Sequence, residues 1–572
     1  MIFRAVLALA LILPAPPALY EPRLEAAPCP VAVPAGTACG FLVVPERRDS
    51  PGKQVKVGYA VHQSASRERA ADAVVYTSGG PASSSIQLTG YLSAMFPDRD
   101  VVVLEQRGSR YSEPRLACPE TVTAMLDRLR GPGGQVAAAA TACRDRLERE
   151  QGVDLRGYTT KEMAADVVEL RRLLGYESWN LFGVSYSTRL MLDAAAADPE
   201  GVRSVVLDSF LPQEVSWYAD ADRNLTATLT ALGAAGGFEA LVRRLDAVPA
   251  RVPATDPLTG RAFTARLTGG DVATVLAEAL HEAEVIAVAP ALVEALAAGH
   301  DELLRPLADA VGPGLTSHEF GLYHAVQCQD EMPATPIQSR LFTVNADKAV
   351  CDAWKLPTSA PTEGTTTAPV LVVGGQFDPT TPTRTSRPAA EKLPNARFVE
   401  FAGGGHAVFL SHRCAARTIA AFVADPARFT QPCAPDRRAY EPVRPGDLHV
   451  TGAPYQVLGG PWRAAPLALF AVASLVQLVA GAIRGRALTA FAGLSGLAFS
   501  GIVIDGVYGQ AKVNETVLAV GVPSYLGWIG WVAAGSAVLT LVALARARRR
   551  WPHAIAALVA AGALTWWWAW VM

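Results

Sequence analysis

Between about residues 41 and 212, short apolar runs alternate with stretches of helical spacing. The runs fall at 41–44, 55–61, 74–77, 101–104, 179–182 and 202–207, and two more follow at 370–373 and 397–401. Short continuous apolar runs bounded by turn residues suit strands buried on both faces. Their alternation with helices predicts an α/β architecture, a mostly parallel sheet covered on both sides. One intervening helix opens with Thr159-x-x-Glu162, a capping-box pattern, and the spacing of Ala164, Val167, Val168, Arg171 and Leu174 gives it a single packing face. From about 213 to 358 the strand pattern disappears and Ala/Leu-rich helical spacing takes over, including residues 271–300, which predicts an inserted helical cap. The Thr/Ser/Pro-rich stretch 358–368 reads as the linker returning the chain to the sheet.

The pattern changes again near Pro461. Apolar runs at 464–483, 487–508, 517–545 and 554–571 each approach or exceed the ~20 residues that cross a bilayer as a helix. Arg484 and Arg486 separate the first two, and Arg546, Arg548, Arg549 and Arg550 the last two, while the loop at 509–516 is nearly neutral. The positive-inside rule then places both arginine loops in the cytoplasm and everything before residue 461 outside. Trp566, Trp567, Trp568 and Trp570 suit the outer interface, and Asp505 reads as interfacial rather than as a proton relay. At the other end, Arg4 precedes an apolar stretch at 5–13 that is too short to span, as in an export signal, although no clean small-x-small cleavage motif follows. The expected organisation is therefore an export segment (1–27), a core (28–212), cap and linker (213–368), the rest of the core (369–435), a linker (436–463) and a membrane region (464–572).

Candidate chemistry sits where strands end. Gly183-Val-Ser185-Tyr-Ser187 follows the run at 179–182 and leads into a helical pattern, so it reads as a nucleophile elbow presenting Ser185. The run at 370–373 continues into Gln376-Phe-Asp378, and the run at 397–401 into Gly403-Gly-Gly-His406. Serine, acid and histidine thus occur in the order that this elbow requires. In that arrangement His406 takes the Ser185 proton and Asp378 holds the imidazole. Asp208 and His412 are rivals, but the first comes one strand too early and the second lacks the glycine loop. An oxyanion needs two donors. The N–H of Tyr186 is one, and Gly80, in the loop Ser78-Gly-Gly-Pro81 after the run at 74–77, is the other.

Ser78-Gly-Gly-Pro81, Val101-Val-Val-Leu-Glu-Gln-Arg-Gly108, the helix from Thr159 to Gly175 and Gly183-Val-Ser-Tyr-Ser187 together resemble the prolyl and tripeptidyl aminopeptidase group of α/β-hydrolases. Residues 369–433 are similar to the C-terminal part of the secreted tripeptidyl aminopeptidases, and the resemblance covers roughly 29–433. Ala82 and Ser187 stand where that family usually has glycine, and Glu105 where it usually has aspartate. The resemblance implies acidic cap residues that bind a free α-ammonium group. Asp330 and Glu331, beside Cys328, are the leading candidates, ahead of Glu278, Glu282 and Glu284.

The eight cysteines lie in close pairs: Cys29 with Cys39, Cys118 with Cys143, Cys328 with Cys351, and Cys414 with Cys433. Without a C-x-x-C motif they fit disulfides and an oxidising compartment, and of about 105 possible connectivities the nearest-neighbour one is the expectation. A net charge of −2 gives no footprint for nucleic acid, and no phosphate loop, dinucleotide fingerprint or metal-ligand cluster implies a cofactor. The expected function is that of a membrane-tethered, exported serine hydrolase at the cell membrane, an aminopeptidase acting on peptide substrates. An esterase or lipase, and a non-catalytic membrane receptor or scaffold, are the alternatives.

Overall fold

The computed structural model describes residues 21–50, 52–131, 134–333, 336–360, 362, 364–433, 442–547 and 551–572. Most of the expected export segment, and Arg548, Arg549 and Arg550, lie outside the described residues. The core is a nine-stranded sheet in the order β1-β2-β3-β5-β4-β6-β7-β10-β11. Its strands are β1 Arg23–Ala27, β2 Thr37–Pro45, β3 Gln54–His62, β4 Ala73–Thr77, β5 Val101–Leu104, β6 Trp179–Val184, β7 Val202–Asp208, β10 Val370–Gly375 and β11 Ala396–Phe401. From β5 to β11 every pairing is parallel, and β1, β2 and β3 add antiparallel strands at one edge. The central strands β4, β5, β6 and β10 are buried along their whole length, which is why they read as unbroken apolar runs. β1 lies inside the segment assigned to export. The folded sheet therefore reaches back to Arg23.

The helix Thr160–Leu174 starts where its pattern predicts, with Thr159 accepting from the Glu162 N–H, and ends at Gly175 in the left-handed region (φ 77°). The reciprocal half of the capping box is absent. Glu162 instead accepts from the Arg48 backbone N–H at 3.0 Å and pairs with its guanidinium. The cap comprises the helices Trp217–Ala231, Ala235–Ala247, Gly269–Ala279, Ala283–Ala297 and Leu304–Ser317, packed on a hydrophobic cluster of its own, and Phe320–Val326 and Phe342–Trp354, which pack mainly into the cluster of the sheet. It is not wholly helical. β8 Ala250–Thr255 and β9 Ala262–Leu267 form an antiparallel hairpin inside it.

Helices Ala465–Ile483, Ala487–Val513, Leu526–Arg546 and Trp551–Trp566, the last extended by a π turn to Val571, are long and apolar enough to cross a membrane. Leu469, Val472, Val476, Leu494, Val538 and Leu558 are exposed on their outer surface. Small and polar residues hold the inside of the bundle together: a Cβ on Gly493 or Gly496 would collide with the first helix, Gln477 donates to Thr540 at 3.0 Å, and Ser536 donates to the Ala492 carbonyl at 2.8 Å. The stretch before the bundle is more than a linker. Its strand β12 Leu448–Val450 pairs with β13 Gly521–Pro523, which lies between the second and third of these apolar helices. That same interhelical segment touches the cap. Asn514 donates to the Glu284 carbonyl at 2.8 Å, and Leu448, Val517 and Val520 belong to the hydrophobic cluster of the cap. All four nearest-neighbour cysteine pairs are bonded.

Candidate active site

Ser185 sits between β6 and the helix Ser187–Ala197 with φ 56°, a left-handed conformation forced by the sharp strand-to-helix turn. The turn closes only because its neighbours are small. A Cβ on Gly183 would lie 2.6 Å from the Ser187 carbonyl oxygen, and one on Gly79 would lie 2.7 Å from the Val184 carbonyl oxygen and 2.9 Å from the Ser185 Cβ. The loop after β4 therefore rests directly on the elbow. Ser187, in place of the glycine of the resembling family, adds a tie. Its hydroxyl accepts from the Val184 N–H at 2.8 Å and lies 2.8 Å from the Thr77 carbonyl at the end of β4.

The carboxylate Asp378, on the turn after β10, accepts from His406 Nδ1 at 2.8 Å. Three further donors fix it: the N–H groups of Thr380 and Thr381 at 2.8 and 2.9 Å and the Thr381 hydroxyl at 2.7 Å. Burial alone would raise the Asp378 carboxyl, but the charge and hydrogen bond of His406 outweigh it and hold the group well below the usual carboxylate range. Burial likewise works against the His406 cation, and Asp378 reverses it, leaving the imidazole above its ordinary value. The rival Asp208 is the scaffold that joins the two loops. Its carbonyl accepts the Ser185 N–H at 2.9 Å, while its carboxylate accepts the N–H groups of Val408 and Phe409 at 3.1 and 2.8 Å. Burial raises its carboxyl to about 7. His412 packs on Phe401, with centroids 4.9 Å apart.

Two residues after β5 shape the loop after β4, the expected oxyanion loop. The Gln106 side chain accepts the Ala82 N–H at 2.8 Å and donates to the Ser78 carbonyl at 2.7 Å; Glu105 accepts from Ser85 and Ile86 at 2.8 and 2.9 Å. The longer glutamate reaches those two donors. Gly80 (φ 108°) and Ala82 (φ 74°) both take left-handed conformations, so alanine occupies a site where glycine fits without strain. Beside the elbow, Tyr186 points its hydroxyl away from the sheet end, 2.7 Å from Thr160 Oγ1.

The acidic candidates separate into two groups. Asp330 and Glu331 lie on the π-helical turn Gln327–Glu331, which the Cys328–Cys351 disulfide ties to the helix Phe342–Trp354. Asp330 accepts from the Thr160 N–H and hydroxyl at 2.6 and 2.7 Å, and Glu331 is buried in an ion pair with the buried Arg189. Both carboxylates are engaged within the protein. One Glu331 oxygen pairs with Arg189 while the other has no hydrogen-bond partner, and Asp330 is met by Thr160 without an ion-pair partner among the described residues. Glu278 and Glu282, by contrast, stand on the cap within electrostatic reach of His406. Glu282 is exposed and has no ion-pair partner among the described residues. His281 stacks on His406, a contact signalled beforehand only by a histidine at the end of a helical pattern. The described group whose ligand atoms converge as a metal would need, Cys118, Glu120 and Cys143, has its sulfurs committed to a disulfide.

A mostly parallel sheet, a strained serine elbow and an Asp–His pair on later strand ends define the class of fold, that of the α/β hydrolases. Residues 72–232 match the family model for the alpha/beta hydrolase fold, and residues 339–431 match that for the TAP-like protein. Among its relatives is the tripeptidyl aminopeptidase of Streptomyces lividans, 28% identical over 206 residues, which cover 33% of this chain and 38% of the relative. The serine protease Hip1 of Mycobacterium tuberculosis is 24% identical over 481 residues, 71% of this chain and 90% of the relative. The solved proline iminopeptidase of Mycobacterium smegmatis aligns over 67% of this chain and 97% of its own, at 16% identity and a TM-score of 0.39.

Proposed function

We propose that this protein is an exported serine peptidase, held at the cell membrane by its four C-terminal helices, that removes short peptides from free N-termini through an acyl-enzyme. The observation that carries the reading is the hydrogen-bonded pair Asp378 and His406, at the ends of the adjacent strands β10 and β11, together with a serine on a strained elbow at the end of β6 in the same parallel sheet. In this mechanism His406 accepts the Ser185 proton as the hydroxyl attacks the peptide carbonyl, then passes it to the leaving amine. Asp378 stabilises the imidazolium that forms. The N–H groups of Tyr186 and Gly80 receive the oxyanion. A water, deprotonated by His406, releases the acyl group. The likeness to a tripeptidyl aminopeptidase and a serine protease supports peptides as substrates. Glu282 supports selection for a free N-terminus, because an unpaired carboxylate on the cap is the partner an α-ammonium group needs.

Export and tethering rest on the four disulfides, the arginine loop at Arg484 and Arg486, and the exposed Trp462, Trp528, Trp531 and Trp568 at the hydrolase-facing ends of the helices. The test compares a free tripeptide substrate, its N-acetylated form and a short-chain ester. Ser185→Ala, His406→Ala and Asp378→Asn should each lower turnover by about three to six orders of magnitude with the fold intact. Glu282→Gln should raise KM for the free peptide by about tenfold and leave the ester unchanged. Efficient cleavage of the acetylated peptide would defeat the aminopeptidase reading. Turnover of esters alone would establish the esterase instead.

A further inference from the structure

We propose that His281, carried by the cap, is a positioning residue for the Asp378–His406 pair, so that the base is fully ordered only while the cap is seated. This rests on the triad reading above. His281 lies in the turn between the cap helices Gly269–Ala279 and Ala283–Ala297, and it meets the site in three ways. Its ring stacks on that of His406, with centroids 4.6 Å apart and planes 29° from parallel. Its carbonyl accepts the His406 backbone N–H at 3.0 Å. Its Nε2 lies 2.7 Å from the Thr380 hydroxyl, and the Thr380 N–H in turn donates to Asp378. One cap residue therefore touches the base, the loop that carries the base and the turn that carries the acid. Gly405 confirms how close the approach is, since a Cβ there would strike the His281 carbonyl.

The stack has a chemical consequence. His406 becomes a cation in each half of the reaction, and a neutral imidazole face laid over it both fixes the ring plane and keeps water from that side. His281 is kept neutral by burial and by the adjoining His406 charge, with Glu278 and Asp378 opposing that effect. Asp208, Glu278 and Glu282 also lie within electrostatic reach of His406 and favour its cation. Because desolvation works against the cation, removing the covering ring should let Asp378 raise the His406 imidazole further. The acid limb of kcat/KM should then move to higher pH.

The experiment uses the full chain in membranes, with a fluorophosphonate to count reactive Ser185 and p-nitrophenyl acetate and a free tripeptide as substrates. His281→Ala should lower kcat on both by about tenfold, with KM changed less than about threefold, and should shift the acid limb upward. His281→Phe, which keeps a ring over His406, should recover kcat to within about threefold and leave the acid limb in place. Unchanged kcat and acid limb in His281→Ala would overturn the proposal. So would equal losses in both variants with an unmoved limb, since that pattern marks a purely structural role. Failure of the unaltered protein to react with the fluorophosphonate would instead sink the triad reading itself, and His281 with it.

Discussion

At the scale of single residues, the site sets its own working pH. In the proposed mechanism His406 must be neutral to accept a proton, and its pairing with Asp378 holds the imidazole above its ordinary value near 6.5. The fraction of active base therefore grows as pH rises through that raised value. A profile of kcat/KM against pH should show an acid limb with its midpoint above about 6.5; a midpoint below it would mean that Asp378 does not govern the base. Ala82 gives a second prediction. Its φ of 74° carries a strain that glycine does not, so Ala82→Gly should raise stability by about 1 kcal/mol in denaturant unfolding, less what glycine adds to the freedom of the unfolded chain. The three departures from the resembling family were legible as letters, but their meaning was not. Only the folded chain shows Ser187 tying two strand ends together and Glu105 reaching two N–H groups. His281 and the Arg189–Glu331 pair were beyond reach for the same reason: their partners lie 125 and 142 positions away along the chain, and no periodicity connects them.

At the scale of elements, strands with a strong pattern were read correctly and weakly patterned ones were not. The central strands are Val-rich and buried on both faces, so composition alone marks them. β1 is Arg-Leu-Glu-Ala-Ala at an exposed edge, with no β-branched residue to distinguish it from a leader. The cap hairpin alternates buried and exposed positions only in part, and Pro253 within β8 argued against a strand. The loop that approaches the nucleophile is an element held from outside itself. Gln106→Ala would leave the Ala82 N–H and the Ser78 carbonyl unpaired in the interior, at a cost of about 1–3 kcal/mol. With Gly80 no longer held, kcat should fall by about ten- to a hundredfold while the phosphonylation of Ser185 by a small fluorophosphonate, with loss of fluoride, persists. Loss of stability without loss of kcat would show that the loop keeps its shape unaided.

At the scale of the whole molecule, two features independent of the triad bear on orientation. The disulfides lie within the hydrolase and cap, and the arginines at 484 and 486 lie at the far end of the bundle from β12 and β13. In intact cells an impermeant thiol reagent should find no free cysteine, and added protease should reach the hydrolase. Cysteines introduced at Arg484 should label only after the membrane is opened, and labelling from outside would reverse the orientation.

The join between bundle and cap has a consequence of its own. Val517 and Val520, from between two membrane helices, sit in the same apolar cluster as Val288 and Leu292 of the cap, and β12 has β13 as its partner. A cut in the stretch before the bundle therefore does not free a finished enzyme. It leaves the cap still gripped by the bundle, and pulling the two apart would bare an apolar scar and a strand edge to water. Many surface enzymes can be shed by one nick near the bilayer. This one should stay with the membrane after such a nick, and activity that does escape into solution should be short-lived.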